Sequence, residues 1–335
     1  MQEVRCPKCG QTILESALQI HLERICPNRD EQPPQAEANN ADSRPHLQEE
    51  GVKTSLPIPT GEANFWISPQ NRERLSRVAS RSEKGDIVNV LIRGPKGCGK
   101  TTLAREFASL YHRPFHEVHC GALVDAEQWF GKDRLNGGET WYRKARFIQG
   151  IESPGSVNLL DEINRAHPEV LNAIFGLLDW RRSIWSDDLG YEVKVARGVV
   201  FFATINEGED YYGINPLDSA LRDRFPRAIK LDYPPRKEEV KILQRQGLDR
   251  DRADKLALFA QTLRKATTQV PVSTRQLLVA TDELLDGGSL REAVETAIIN
   301  GIEDTSTEKM SLQGLQWLED NPYVEDQEVI PLEDI

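Results

Sequence analysis

Short apolar runs separated by amphipathic segments dominate residues 62–233. VNVLI (88–92), VNLL (157–160) and VVFFATI (199–205) have the length and continuous apolar character of buried strands. The segments between them carry helical patterns. Strands that alternate with helices predict a parallel sheet with helices on both faces, which is an α/β fold of the three-layer αβα type.

From residue 234 to residue 318 the pattern is helical throughout. RKEEVKILQRQG, DKLALFAQTLRKAT and TRQLLVATDELLDGG each end near glycine or a polar turn, as helices of a small domain do. We therefore expect the αβα core at 62–233 to be followed by a small all-α lid domain at 234–318.

The flanking segments differ in composition. Residues 31–61 contain five prolines and few large apolar residues, so a disordered linker is predicted there. Residues 319–335 contain seven acidic and no basic residues, which predicts a mobile acidic tail. Residues 1–30 hold three of the five cysteines and are expected to form a separate small unit.

A glycine-rich loop follows the first of the three apolar runs and precedes a helical pattern. GPKGCGKT satisfies G-x-x-x-x-G-K-[ST], in which backbone N–H groups and a helix N-terminus bind phosphate. Lys100 is expected to reach the terminal phosphates and Thr101 to ligate Mg²⁺; a plain strand-to-helix turn is the alternative. The residues predicted to bind the nucleotide here are Gly94, Pro95, Lys96, Gly97, Cys98, Gly99, Lys100, Thr101 and Thr102.

Polar residues stand at the ends of the other two runs. Asp161 and Glu162 follow VNLL, and Asn206 ends the third run. Carboxyl ends of parallel strands share one edge of a sheet, where open α/β sheets bind their ligands. We expect Asp161 to hold Mg²⁺, Glu162 to act as general base, and Asn206 to hold the attacking water or the γ-phosphate. A solvated acidic turn and simple strand termination are the alternatives.

Three arginines could complete a phosphoryl-transfer site. Arg222 and Arg224 lie in LDSALRDRF, and Arg275 opens a predicted lid helix. A guanidinium matches the charge that spreads over the equatorial oxygens of a transferring phosphoryl group. If Arg222 or Arg224 comes from a neighbouring subunit, hydrolysis requires a ring. The alternative is an ordinary surface role, such as ion pairing with Asp218 or Asp223.

The amino-terminal unit has the spacing C-x2-C-x11-H-x4-C. Two thiolates on a Cys-Pro-x-Cys-Gly turn and two ligands on a following helix would complete a tetrahedral Zn²⁺ site. The segment resembles small C2HC zinc fingers, although those usually have H-x3-C. A helical arm with incidental cysteines is the alternative. The predicted zinc ligands are Cys6, Cys9, His21 and Cys26.

Bulk composition narrows the function classes. The 335 residues carry a net charge of −11, which argues against general coating of nucleic acid. The apolar runs are far shorter than the ~20 residues of a membrane span, so no membrane partner is expected. The odd cysteine count fits a reducing compartment, and a cytoplasmic location is predicted.

Taken together, these motifs resemble the MoxR group of AAA+ ATPases over residues 62–318. The most specific stretches are GPKGCGKTTLA, LLDEINRAHPEVLNAIFGLLD, FFATIN, LDSALRDRF and STRQLL. The sequence STR at residues 273–275 is most similar to the corresponding motif in the branch of Rubisco- and nitric-oxide-reductase-activating ATPases. The resemblance implies ATP as the nucleotide, a homo-oligomer that is most often a hexamer, and Arg224 ahead of Arg222 as the arginine finger.

Two further segments resemble the inserts of this clade. Residues 128–151 and 183–198 are predicted hairpins at the positions of the helix-2 insert and the pre-sensor insert. In ring-forming relatives such inserts face the pore or the partner. Candidate contact residues are therefore aromatic, with packing on their own domain as the alternative: Trp129, Phe130, Trp141 and Tyr142.

Three functions follow as hypotheses. The first is a chaperone-like ATPase that remodels or activates a protein client, with the zinc finger as a recruitment arm and a von Willebrand-A-type adaptor implied by the resemblance. The second is a nucleic-acid motor of the same clade, which the acidic charge disfavours. The third is a nucleotide-gated switch or scaffold without force generation.

Overall fold

The computed structural model divides the chain into two units, residues 1–49 and 50–335. For residues 3–5, 12–14, 133–136 and 139–141 it describes the backbone alone. The described residues are 3–5, 12–14, 56–62, 65–136, 139–206, 219–266, 272–321, 323–324 and 327–332.

In the first unit, strands β1 (Glu3–Arg5) and β2 (Thr12–Leu14) pair antiparallel, with Glu3 opposite Leu14. All four predicted zinc ligands lie outside the described residues, and the zinc finger stays a prediction. Those ligands are Cys6, Cys9, His21 and Cys26.

A five-stranded parallel sheet forms the centre of the second unit. Its spatial order is β11–β3–β10–β7–β4, and every neighbouring pair is parallel. This confirms the predicted α/β class. The strands of this unit are β3 (Val88–Gly94), β4 (Phe115–His119), β5 (Gly131–Asn136), β6 (Glu139–Lys144), β7 (Val157–Asp161), β8 (Ser183–Ser186), β9 (Tyr191–Lys194), β10 (Val200–Asn206) and β11 (Arg227–Lys230).

Helices cover both faces of this sheet and form a separate bundle after it. In the core they are α1 (Pro69–Glu83), α2 (Lys100–Leu110), α3 (Arg146–Glu152), α4 (Pro168–Asn172), α5 (Phe175–Leu178) and α6 (Ser219–Arg224). In the lid they are α7 (Arg236–Arg245), α8 (Arg250–Ala266), α9 (Thr274–Leu285), α10 (Leu290–Ala297) and α11 (Thr305–Asp320).

The alternation of side chains along β3 shows why its sequence is a continuous apolar run. Val88, Val90 and Ile92 pack in one cluster with α1 and α2. Leu91 points to the other face and packs in a cluster with α3 and α4. Because both faces of the strand are buried, apolar residues are favoured at every position rather than at alternate ones.

His116 on β4 provides a test of this buried arrangement. Burial, with the Arg146 charge adding to it, lowers the pKa of His116 from 6.5 to about 4. Between those values the unfolded chain binds more protons than the folded one, so stability falls as the pH drops. At pH 5 this linkage costs about 2 kcal/mol.

When the pH is lowered from 7.5 to 5, we therefore expect the free energy of unfolding of His116→Gln to fall by about 2 kcal/mol less than that of the wild type. Urea unfolding at the two pH values measures the difference. An identical acid loss in both proteins would contradict the neutral state of the half-buried His116.

The lid has its own core, and part of the predicted acidic tail belongs to it. Val324 and Ile330 are each 2% exposed and pack with residues of α7–α11. The backbone N–H of Ile330 donates to Thr262 Oγ1 at 2.9 Å. The expectation of a mobile tail is wrong for these residues, because two apolar side chains in an acidic segment are enough to anchor it on the lid.

Both predicted inserts form antiparallel hairpins, β5–β6 and β8–β9. Trp129, just before the first hairpin, is fully buried; its Nε1–H donates to the Val170 carbonyl at 2.8 Å, and its ring packs on Phe147. Phe130 is 8% exposed. Their prediction as partner contacts is therefore wrong, because both side chains serve the core. The side chain of Trp141 lies outside the described set, and Tyr142 is half-buried.

The end of the predicted linker contacts the core, since the N–H of Phe115 donates to the Pro57 carbonyl at 2.9 Å. Residues 31–55 lie outside the described residues. Within the described parts of the chain, no helix combines the length and the apolar character that crossing a bilayer requires.

Candidate nucleotide site at the carboxyl edge of the sheet

The glycine-rich loop joins β3 to α2 at the carboxyl edge of the sheet. Gly97 and Gly99 have φ values of 70° and 92°, in the left-handed region that glycine adopts without strain. Gly99 is the N-cap of α2, so the free N–H groups of that helix face the loop. A loop of this shape is an anion site built from backbone.

Close neighbours exclude a side chain at the same two glycines. A Cβ on Gly97 would stand 2.5 Å from Ser273 Cβ, and one on Gly99 would stand 2.5 Å from the Phe65 ring. Both distances are far inside van der Waals contact. The loop is therefore packed from two sides, by the lid and by the segment before α1.

The Lys100 ammonium group lies over the loop. Its Nζ donates to the carbonyls of Gly94 at 3.0 Å and Pro95 at 2.6 Å, and the residue is 7% exposed. A buried cation at the centre of an anion site can neutralise phosphate charge. Next to it, burial raises the pKa of the Cys98 thiol, with the Lys100 charge opposing, so Cys98 stays a neutral packing residue.

Asp161 and Thr101 lie side by side. Thr101 Oγ1 and Thr204 Oγ1 donate to Asp161 Oδ1 at 3.0 and 2.6 Å, and Asp161 is 8% exposed. A hydroxyl and a carboxylate beside a phosphate loop are the hard oxygen donors that Mg²⁺ takes. The residues predicted to bind Mg²⁺ therefore fit the ion.

Glu162 has an unusual backbone and two side-chain partners. Its φ and ψ of 51° and 48° are left-handed, a conformation that costs about 1–3 kcal/mol in a residue other than glycine. Asn206 Nδ2 donates to its Oε1 at 2.8 Å, and Arg165 Nε lies 3.2 Å from its Oε2. The backbone N–H donates to Thr204 Oγ1 at 2.8 Å. These contacts hold the carboxylate beside Asn206.

Sequence reasoning missed three residues of this edge. Thr204 bridges Asp161 and the Glu162 backbone; its position two residues before Asn206 places both side chains on one face of β10. Arg165 stands three residues after Glu162. His119 ends β4 opposite Asp161, with Nδ1 3.5 Å from Asp161 Oδ2.

The three candidate arginines have different surroundings. Arg222 is exposed at the end of α6. The Arg224 guanidinium lies 4.0 Å from the centre of the Phe175 ring, and Nη1 donates to the Ala220 carbonyl at 2.7 Å. Arg275 is exposed in the first turn of α9. Arg222 and Arg275 are thus placed to reach outward, whereas Arg224 packs on residues of its own chain.

Comparisons with known proteins show which family the chain belongs to. A family model described as AAA domain (dynein-related subfamily) covers residues 89–225, and one described as CbbQ/NirQ/NorQ C-terminal covers residues 239–316. The chain is 37% identical over 269 residues to Putative chaperone BssE of Thauera aromatica, spanning 79% of this chain and 93% of that protein. The chain belongs to the CbbQ/NorQ (MoxR-type) family of AAA+ ATPases.

A second relative of the CbbQ/NorQ family is Protein NorQ of Paracoccus denitrificans, 33% identical over 259 residues, 76% of this chain and 93% of that protein. Among solved structures, the Thermotoga maritima RuvB Holliday junction branch migration motor is 20% identical, with a TM-score of 0.48 over 81% of this chain and 76% of that chain. Family membership makes this chain a P-loop ATPase that hydrolyses ATP.

Proposed function

We propose that this CbbQ/NorQ-type ATPase assembles into a homo-oligomeric ring, a hexamer, and couples ATP hydrolysis to the remodelling of a partner protein. The relative named Putative chaperone BssE supports a protein as the target. The single observation within this chain that carries the proposal is a pair of exposed tryptophans beside the ATPase core.

The chemical step follows from the edge of the sheet. Lys100 and the loop N–H groups bind the outer phosphates, and Thr101 and Asp161 would hold Mg²⁺, which supplies charge neutralisation when bound. Glu162 takes a proton from a water held near Asn206. The water oxygen bonds to the γ-phosphorus as the bond from phosphorus to the ADP oxygen breaks. The products are ADP and phosphate.

The arginines give a reason for a ring. Developing charge on the γ-phosphate needs a cation, and an arginine finger is worth about 10³–10⁵ in kcat. From the family resemblance we assign that cation to Arg224 of the neighbouring subunit, with Arg222 second; Arg224 packs on Phe175 and has to leave that ring to act. Arg275 on the lid is assigned to the γ-phosphate of its own subunit, so that the lid responds to hydrolysis.

Trp180 and Trp185 are candidate partner contacts that sequence reasoning missed. Trp180, just after α5, is 88% exposed, and Trp185, on β8, is 60% exposed. Exposed tryptophans are rare on surfaces that contact only water and are enriched where proteins bind. The sequence did contain a sign of their exposure, because both tryptophans occur among charged and small polar residues rather than within an apolar run.

Recruitment is assigned to the amino-terminal unit. We propose that Cys6, Cys9, His21 and Cys26 bind Zn²⁺ and that the finger captures the client or its adaptor. The von Willebrand-A-type adaptor and the cytoplasmic location stay predictions of the sequence.

A trapping experiment tests this function. The full chain carrying Glu162→Gln is purified with ATP from its native cell, alongside the same trap carrying Cys6→Ser. We expect the first to hold about one zinc per chain and to retain a defined protein client, and the second to lose both. Cys120→Ala in the trap is the matched control and should keep zinc and client.

Two results would contradict the proposal. Retention of nucleic acid instead of protein, lost steeply as salt rises, would favour the motor hypothesis. A turnover below one per minute that no retained partner changes would favour a switch or scaffold.

A further inference from the structure

The segment that joins the core to the lid contacts the phosphate loop. Tyr233 lies in this segment, between β11 and α7, and its hydroxyl donates to the Lys96 carbonyl at 2.7 Å. Lys96 is one of the loop residues between Gly94 and Gly99. A shift of the loop around phosphate would therefore act directly on Tyr233.

On the lid side, Arg264 of α8 lies against the same tyrosine. Its guanidinium carbon stands 4.0 Å from the centre of the Tyr233 ring, in cation–π geometry. Its two terminal nitrogens donate to the Glu239 carboxylate at 2.8 and 2.9 Å, and Nε donates to the Val272 carbonyl at 2.6 Å. Three hydrogen bonds, one from each nitrogen, thus fix the plane of this guanidinium and orient the face that meets the Tyr233 ring.

Glu239 ties three lid helices at one point. It lies on α7 and is fully buried, it pairs with Arg264 of α8, and its Oε1 accepts a hydrogen bond from Thr274 Oγ1 of α9 at 2.8 Å. A buried bidentate pair tolerates little displacement, because a partial break leaves a charge without compensation. The pair therefore joins α7, α8 and α9 firmly at this point.

The N-terminus of α9 makes a second contact with the phosphate loop, besides that of Tyr233. Ser273, its N-cap, packs so closely on Gly97 that a Cβ there would collide with it. Arg275 is two residues further on. Two consecutive loop residues are thus contacted, Lys96 by Tyr233 of the connecting segment and Gly97 by Ser273 of the lid.

We infer that Tyr233 and the Arg264–Glu239 pair are positioning residues that transmit the state of the phosphate loop to the lid and thereby set where Arg275 stands. This inference rests on the proposed role of Arg275 in hydrolysis. None of the three side chains needs to touch the nucleotide, because each acts through its neighbour.

Tyr233→Phe is the test variant, since it removes one hydroxyl and keeps the ring under Arg264. We expect kcat to fall about threefold to thirtyfold, while the Kd for a fluorescent ATP analogue and the melting temperature stay unchanged. Tyr191→Phe is the control; it also removes one tyrosine hydrogen bond, to Glu152 at 2.9 Å, and should keep wild-type kcat.

The deciding measurement is the double variant Tyr233→Phe/Arg275→Ala. If Tyr233 acts through Arg275, the double variant should match Arg275→Ala alone within about twofold. Effects that multiply, or a Tyr233→Phe enzyme with wild-type kcat, would overturn the inference and leave the role of Arg275 standing. Wild-type kcat in Arg275→Ala alone would instead remove that role, and the inference with it.

Discussion

Glu162→Gln is expected to bind ATP as the wild type does and to hydrolyse it about 10²- to 10⁴-fold more slowly. The amide keeps the size of the side chain. It still offers an oxygen to Asn206 Nδ2, which donates to Glu162 Oε1 at 2.8 Å in the wild type. It cannot take a proton from water. The ion pair with Arg165 is lost, but that pair is partly exposed and contributes little to folding. Single-turnover hydrolysis and equilibrium ATP binding separate the two effects.

The matched control is Glu169→Gln, which neutralises an exposed carboxylate on α4, close in sequence to the site but outside it. It should hydrolyse ATP at the wild-type rate. Turnover close to wild type in Glu162→Gln would remove Glu162 from the chemistry and shift the search for a base to other groups at this edge, such as His119.

The sequence was sufficient to place the glycine loop and the strand ends because each depends on a local pattern. The conformation of the glycine loop depends on residues within the loop itself, Gly94, Gly99 and Lys100. Asp161 and Asn206 directly end apolar runs. Since the carboxyl ends of parallel strands share an edge, the α/β class already implied that these residues converge.

The contacts that set the geometry of the edge could not be derived in this way. Thr204 joins Asp161 to Glu162 only because β10 lies beside β7, a strand order that local pattern does not specify. The left-handed backbone of Glu162 likewise depends on packing around it. Arg165 looks like any charged residue after a strand until its distance to Glu162 is known.

The errors have a common physical cause. An aromatic pair beside a hairpin can face a partner or its own domain, and periodicity does not distinguish the two. The Trp129 ring packs on Phe147 in the core, and its N–H is satisfied there by the Val170 carbonyl, 41 residues away in sequence. In the tail, the excess of acidic residues predicted mobility. Val324 and Ile330 are nevertheless buried on the lid, and these two side chains anchor the segment.

Mixing two inactive variants is expected to restore ATPase activity if an arginine crosses between subunits. A Glu162→Gln subunit lacks the base but lends its arginine, and an Arg224→Ala subunit keeps the base but lends none. In a ring with random 1:1 mixing, about a quarter of the junctions pair an intact base with an intact arginine. Glu162→Gln alone should lose about 10²- to 10⁴-fold in kcat and Arg224→Ala alone about 10³- to 10⁵-fold, so recovery stands far above background.

The same mixture with Arg222→Ala identifies which arginine crosses. Arg224 now packs on Phe175, and its Nη2 stands 3.8 Å from Asp179 Oδ2, so it would have to leave these contacts to reach a neighbour. Arg222 is exposed and needs no such rearrangement. The finger is the arginine whose alanine variant is inactive alone and recovers on mixing. A variant that is inactive in both settings with a lowered melting temperature has a structural role. Full activity of the wild-type protein at dilutions that hold only monomer would refute a site shared between subunits.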